Sequence, residues 1–336
     1  MVVLMRRFWL IPVLLAALIL TSCSNKEYQY FSIATASTGG TYYPIGVGMG
    51  NLWTEKLIDQ GIRATGQSSA GSVENIDLLQ KEEAQLAILQ ALIGDQAYNG
   101  TGIYDSRPYE DLRSMTMLWP NVEHFVLLNS RIKTGTIADI EGRSFSVGPK
   151  ASGTEQSTLA LMEGIGLTTA DISPEHLGYD DTISAIRDGR LEGGSLPAGT
   201  PVTAITDMYA SGVRADVLDV TDEQLEAINR QNNVFFRFEI PKRTYPRKTE
   251  DIQTIAQSNF LAVDKKLDED MVYLLTKTLY ENLDTMYEVH KSARAMSLEN
   301  ALEGISVPLH MGAYRYYKEQ GLEIPAELIP PEVKDE

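Results

Sequence analysis

Between Tyr30 and Tyr98, short apolar runs alternate with helix-length runs, and no other feature of this chain constrains its fold as much. Residues 30–36, 62–68 and 86–90 read as strands. Residues 43–57, 73–80 and 92–98 read as helices, the second with apolar side chains at Val73, Ile76, Leu78 and Leu79. A β-α-β-α-β-α rhythm predicts a mainly parallel sheet with helices on both faces. A second unit begins near Arg131, with a strand at 144–147, a helix at 155–164 ending on a glycine stop, part of another helix at 184–188, and a strong strand at 233–240. Residues 241–248, rich in Pro, Tyr and basic side chains, read as a connection between units. One further strand is expected at 259–263, and the tail is expected to be helical from 268 to 302. The 336 residues suffice for one large domain or two lobes.

The chemistry gathers at strand-to-helix junctions. In an open parallel sheet, ligands collect at the carboxyl ends of the strands. Helix N-termini there offer unpaired N–H groups and partial positive charge to anions. Residues 36–46 follow a strand and open a helix: Gly39 and Gly40 let the backbone approach a ligand closely, while Ser37, Thr38 and Thr41 add hydroxyls beside Tyr42. The stretch has no Lys-Ser/Thr pair, so it is not a nucleotide-hydrolysing phosphate loop. Gly46, Gly48 and Gly50 miss the dinucleotide fingerprint spacing and read as close helix packing. A second junction, 68–75, places Ser72 as an N-cap with Asn75 a turn later, and a third, 148–155, contains Ser152, Gly153 and Thr154. One such loop would be ordinary capping. Three of them over two units point to a cleft lined with helix N-termini.

Enzyme readings find no constellation, so no catalytic residue, metal or cofactor is expected. His124, His176, His290 and His310 are scattered, with no pair at metal-ligand spacing. No Gly-x-Ser-x-Gly elbow is present. Asp180-Asp181 reads as a helix start and Glu82-Glu83 as a solvated helix face. Tyr314, Tyr316 and Tyr317 read as packing. The cluster Lys242, Arg243, Arg247 and Lys248 would either steer an anion or be a solvated connection. A formal charge of −17 argues against nucleic acid as a partner.

The N-terminus speaks of destination. Arg6 and Arg7 precede an apolar run from Phe8 to Leu20, shorter than the ~20 residues a membrane-spanning helix needs. Small polar residues follow, and Leu20-Thr21-Ser22-Cys23 resembles the bacterial lipobox. The expectation is a signal peptide over 1–22, a lipidated Cys23 and a tether over 23–28, holding the protein to a membrane in the periplasm or at the cell surface. A short anchor or a buried apolar segment is the alternative. Cys23 is the only cysteine, so no intrachain disulfide can form.

At these same residues the chain resembles the TRAP-associated extracytoplasmic immunogenic (TAXI) solute receptors, the binding components of tripartite ATP-independent periplasmic (TRAP) transporters. The resemblance rests on Gly39-Gly40-Thr41-Tyr42-Tyr43-Pro44, Ser72-Val73-Glu74-Asn75, Gln90 with Ala97-Tyr98-Asn99-Gly100, Ser152-Gly153-Thr154-Glu155, Gly199-Thr200-Pro201, Thr244-Tyr245-Pro246 and the run from Val307 to Ala313 that leads into Tyr316-Tyr317-Lys318-Glu319. Their order over essentially the whole mature chain makes the match specific. It implies an α/β, two-lobed type II periplasmic binding protein fold, each lobe a mainly parallel sheet flanked by helices. Lobe one would be 29–128 and 250–336, and lobe two 129–249, with crossings near 122–129 and 245–259. The implied ligand is a small carboxylate, such as a glutamate-like amino acid or a 2-oxoglutarate-like acid. The implied partners are the membrane subunits of a TRAP permease. Carried over by motif, Thr41, Tyr42, Ser72, Asn75 and Gln90 would line one wall, with Thr38 and Gly40 in the same loop. Ser152, Gly153, Thr154 and Gly199 would line the other. One departure is Asp188-Gly189-Arg190-Leu191 running into Glu192-Gly193-Gly194, where family members commonly have Asp-Ala after the turn; this weakens transfer of the exact ligand. Rival readings are the binding lipoprotein of an ATP-driven importer and a membrane-tethered ligand sensor.

Overall fold

A computed structural model of the chain describes residues 28–335. The expected signal peptide, the lipidated Cys23 and nearly all of the tether lie outside the described residues. The first unit follows the expected rhythm: β1 (Gln29–Ala34), α1 (Tyr42–Leu57), β2 (Ile62–Gln67), α2 (Ser72–Gln80), β3 (Leu86–Gln90), α3 (Ala91–Asn99) and β4 (Leu112–Val122). β1 runs parallel to both β2 and β3, with Ile33 opposite Gly66 on one side and Leu86 on the other. All five residues of β3 are buried, as a strand covered on both faces demands.

The chain then crosses in two residues, Glu123 and His124, to a second sheet. Its elements are β5 (Phe125–Leu128), β6 (Ser144–Ser146), α4 (Gly153–Gly164), β7 (Ser173–Glu175), α5 (Tyr179–Arg187), β8 (Gly193–Ser195), α6 (Thr203–Ala210) and β9 (Ala215–Val217), in the spatial order β7-β6-β8-β5-β9. It returns through α7 (Asp222–Asn229) to β10 (Phe236–Ile240) and β11 (Ile252–Asp264), which rejoin the first sheet, and ends with α8 (Glu269–Tyr280), α9 (Leu283–Val289) and α10 (Met311–Glu319). No helix among the described residues is long and apolar enough to cross a membrane.

Both sheets are mixed rather than mainly parallel. β11 is antiparallel to β3, β4 and β10, and β5 is antiparallel to β8 and β9. The physical reason lies in the connectivity. The returning chain first forms β10, which runs outward past the carboxyl end of β4, and the turn after it sends β11 back the opposite way along β4 and β3. The 233–240 segment, expected in the second unit, forms its strand at β10 on the first sheet because its partner is the first half of β11. The long strand β4 carried no strand expectation. The helical tail is broken at Asn282 and again after Val289, where a short 3₁₀ turn (Lys291–Ala295) takes over.

Two apolar clusters hold the molecule together. One runs from the helices on the first sheet through Trp53, Trp119, Phe125 and Phe145 to Leu161 on α4; the other, including Tyr179, Ile205, Met208 and Tyr245, fills the remaining face of the second sheet. Tyr316 and Tyr317 are packed in the first cluster. The α1 glycines explain its close fit. A β-carbon at Gly50 would lie 3.0 Å from the Ala64 carbonyl oxygen, and one at Gly48 would lie 2.9 Å from Val289; one at Gly46 would strike Thr35.

Candidate functional site

The carboxyl ends of strands from both sheets meet face to face, and three helices begin there. α1 starts after the Ser37–Thr41 loop, where the Gly40 N–H returns to the Ser37 carbonyl at 3.3 Å. Thr41 precedes the helix but does not cap it; its hydroxyl donates instead to the Gly199 carbonyl of the opposite unit at 3.2 Å. α2 is entered through Gly71 at φ +127°, a backbone that L side chains rarely adopt. The Ser72 hydroxyl accepts from the Gln90 N–H at 3.1 Å, which joins the starts of α2 and α3. α4 is capped by Ser152, whose hydroxyl accepts from the Glu155 N–H at 3.0 Å and donates to the Pro149 carbonyl at 2.6 Å.

These starts approach one another because of a missing side chain. A β-carbon at Gly153 would lie 2.5 Å from Gln90 Oε1 and 2.8 Å from Ser72 Oγ. A backbone hydrogen bond closes the same seam: the Glu74 N–H on α2 donates to the Ala151 carbonyl at 3.0 Å. Ala151 sits at φ +60°, and its own N–H is held by the Glu155 carboxylate at 3.1 Å.

Between these elements lies a small cavity of about 30 Å³. Gly40, Thr41, Tyr42, Ser72, Gln90, Ser152, Gly153 and Thr154, all singled out from sequence, line it together. Three expected residues stand apart from the lining. Thr38 is exposed, and its neighbour Ser37 takes the wall position. Asn75 is fully buried and structural: its amide donates to the Thr35 and Ile88 carbonyls at 2.7 and 2.9 Å, tying β1 to β3, and accepts from Ser69 at 2.6 Å. Gly199 contributes its carbonyl to Thr41 while packing against Ser292 and Trp119. The cluster at 242–248 is not among the lining residues, and Lys248 pairs with Asp216 at 2.9 Å.

Tyr179 completes the wall and carried no sequence expectation. Its hydroxyl accepts from Thr154 at 2.9 Å and donates to the Pro197 carbonyl at 2.5 Å. It opens a helix just after Gly178, so the glycine-preceded helix start was the available signal. Burial raises the pKa of Tyr42 and of Tyr179, so both remain donors at neutral pH. The Tyr42 hydroxyl donates to Asn259 Oδ1 at 2.5 Å. No Asp, Glu, Lys or Arg lines the cavity. The polar groups on offer there are N–H dipoles, hydroxyls and the Gln90 amide, whose Oε1 is buried without a partner. Among the described residues, no group of three or more His, Cys, Asp and Glu is placed to hold a metal.

A family model described as the NMT1-like family matches residues 33–321. Among solved structures, a protein from Bordetella bronchiseptica RB50 is 15% identical over 88% of this chain and 90% of that one, with a TM-score of 0.50. The periplasmic aliphatic sulphonate binding protein SsuA from Escherichia coli is 14% identical over 89% and 88%, with a TM-score of 0.46. A TRAP periplasmic solute binding protein from Pseudomonas aeruginosa PAO1, with bound L-malate, is 13% identical over 79% and 86%, with a TM-score of 0.44. At these identities the likeness concerns the fold alone, two mixed sheets flanked by helices.

Proposed function

The chain belongs to the NMT1-like family, and we propose that it is an extracytoplasmic solute receptor of the TAXI type, which takes a small carboxylate between two lobes and delivers it to a TRAP permease. One observation carries this reading: the starts of α1, α2 and α4, drawn from two sheets, surround one cavity that has no charged side chain. Helix N-termini present unpaired N–H groups and a partial positive charge, which suits a carboxylate and nothing cationic. The orphaned Gln90 Oε1 gives the same wall an acceptor, which a ligand N–H or O–H would satisfy. A glutamate-like amino acid offers both groups; a 2-oxoglutarate-like acid offers the carboxylates alone.

The function follows as capture without chemistry. The ligand meets the N–H groups and hydroxyls of Ser37, Thr41, Tyr42 and Ser72 in lobe one. Lobe two then closes, bringing Ser152, Gly153, Thr154 and Tyr179 over it and excluding water, which strengthens each polar contact. The lobes divide at the Glu123-His124 crossing and at the return through α7. Cys23 would hold this receptor by a lipid to the membrane that carries its transporter. Calorimetry of the full chain against C4 to C6 carboxylates and amino acids tests the reading, and no heat with any of them would sink it. Ser152→Ala with Thr154→Ala is expected to weaken binding at least tenfold; unchanged affinity would remove the second wall from the site.

A further inference from the structure

We propose that Glu123 is a proton-binding site coupled to the cleft: the closed arrangement holds its carboxyl protonated, and opening releases that proton to water. Glu123 is one of only two residues between the last strand of the first sheet before the crossing and the first strand of the second. Its side chain is 0% exposed, and no well-formed hydrogen bond holds either carboxylate oxygen, Ser157 and Gln257 being its polar neighbours. Its main chain is fixed to β11, donating to the Ile255 carbonyl at 2.9 Å and accepting from the Thr254 hydroxyl at 2.8 Å. The carboxyl therefore cannot leave this place while the crossing stays intact.

What surrounds it comes from both units. Ser157 faces it from α4, on the second sheet, and Gln257 faces it from β11, on the first. The Gln257 amide is itself half used: Oε1 accepts from the Leu92 N–H at 2.9 Å, and Nε2 is buried without a partner. The titratable groups facing Glu123 are Tyr42 on α1 and Tyr179 on α5, both on the cavity wall, and the adjacent His124. None supplies a positive charge. His124 bonds through Nδ1 to the Val122 carbonyl and through Nε2 to the Tyr245 hydroxyl, both at 2.8 Å, and burial lowers its pKa to about 4, which keeps the ring neutral. No Lys or Arg pairs with the carboxyl, and an ionised acid here would be a buried, uncompensated charge. Burial accordingly raises its pKa to about 8, against Ser157 and Gln257, which favour the charged form. Separating α4 from β11 admits water, and the pKa falls toward the ordinary carboxylate value.

The proposal rests on the two units opening and closing, and the test is made without ligand so that it can fail alone. The Glu74 N–H, bonded to the Ala151 carbonyl across the cleft, reports opening through hydrogen exchange. Exchange at this amide would be followed by mass spectrometry in the full chain and in Glu123→Gln at matched pH, where intrinsic chemistry cancels. Between about pH 5.5 and 7.5 the wild-type chain should open about tenfold more readily per pH unit relative to the variant, and the ratio should level off above about pH 8. A ratio that does not change with pH overturns the proposal and leaves the receptor reading standing. Should the variant fail to fold, the wild-type ratio of Glu74 exchange to that of Ile33, inside the first sheet, replaces it. That ratio must rise over the same pH range, and a constant value overturns the proposal equally.

Discussion

Two residues named for the same wall do opposite work. Gly153 is a contact by omission: a methyl there would occupy the space of Gln90 Oε1 and Ser72 Oγ, which belong to the facing unit. Gly153→Ala should therefore hold the units apart, raising the dissociation constant for the carboxylate at least tenfold while leaving the ligand-free unfolding midpoint nearly unchanged. An affinity equal to wild type, read by calorimetry, would show that the seam has slack. Asn75 is the reverse case. It sits in the same motif as Ser72, but its side-chain contacts run to Ala34, Thr35, Ile88 and Ser69 inside the first unit. Asn75→Ala removes the amide's donation to these buried carbonyls, of which Thr35 keeps the Ser69 hydroxyl at 3.0 Å, and the cost should be about 1–3 kcal/mol in a denaturant titration. If the variant lost affinity but not stability, Asn75 would be a ligand contact after all.

At the scale of elements, the sequence made legible what local periodicity controls. β3 and the helices α1 to α3 announce themselves by apolar spacing, and the glycine-serine junctions by the residue types that helix starts need. Contacts from far along the chain stayed hidden. β4 and the full length of β11 were hard to see because each is fixed mainly by the other, through a register that shifts twice between Asn259 and Ala262. The 241–248 stretch, which joins β10 to β11 within the first sheet rather than one unit to the other, hid more still. Tyr245 looks like one aromatic in a solvated basic stretch, yet it is buried, and its hydroxyl accepts from the Val202 N–H at 3.1 Å and donates to His124 in the crossing. Tyr245→Phe leaves two buried polar groups unsatisfied, so urea unfolding should show a loss of about 1–3 kcal/mol. A loss below a few tenths would mean that water replaces the hydroxyl and that the connection does not brace the crossing.

Across the whole molecule, the charge of −17 and the uncharged cavity pull in different directions. The cavity attracts a carboxylate only within a few ångströms, because helix N-termini act over their first turn. Farther out, an anion meets the field of the entire surface, which repels it. Lys150, exposed and next to the lining residue Pro149, sets one positive charge beside the cavity wall. One lysine cannot reverse so large an excess of acids. Salt shortens the reach of the repulsion, with a Debye length of about 30 Å at 0.01 M falling to about 8 Å at 0.15 M. The association rate for L-glutamate should therefore rise with ionic strength, about two- to fivefold across that range, the opposite of a steered encounter. Dissociation should hardly change, since the closed cavity is shielded from ions. Stopped-flow fluorescence can follow both steps through Trp119, which packs edge-on against Tyr42 at 5.6 Å. A rate that falls as salt is added would mean that the entrance is locally positive, and Lys150→Ala would then be expected to abolish the dependence. A rate that rises would leave the short-range dipoles of the three helix starts as the source of selectivity for the anion.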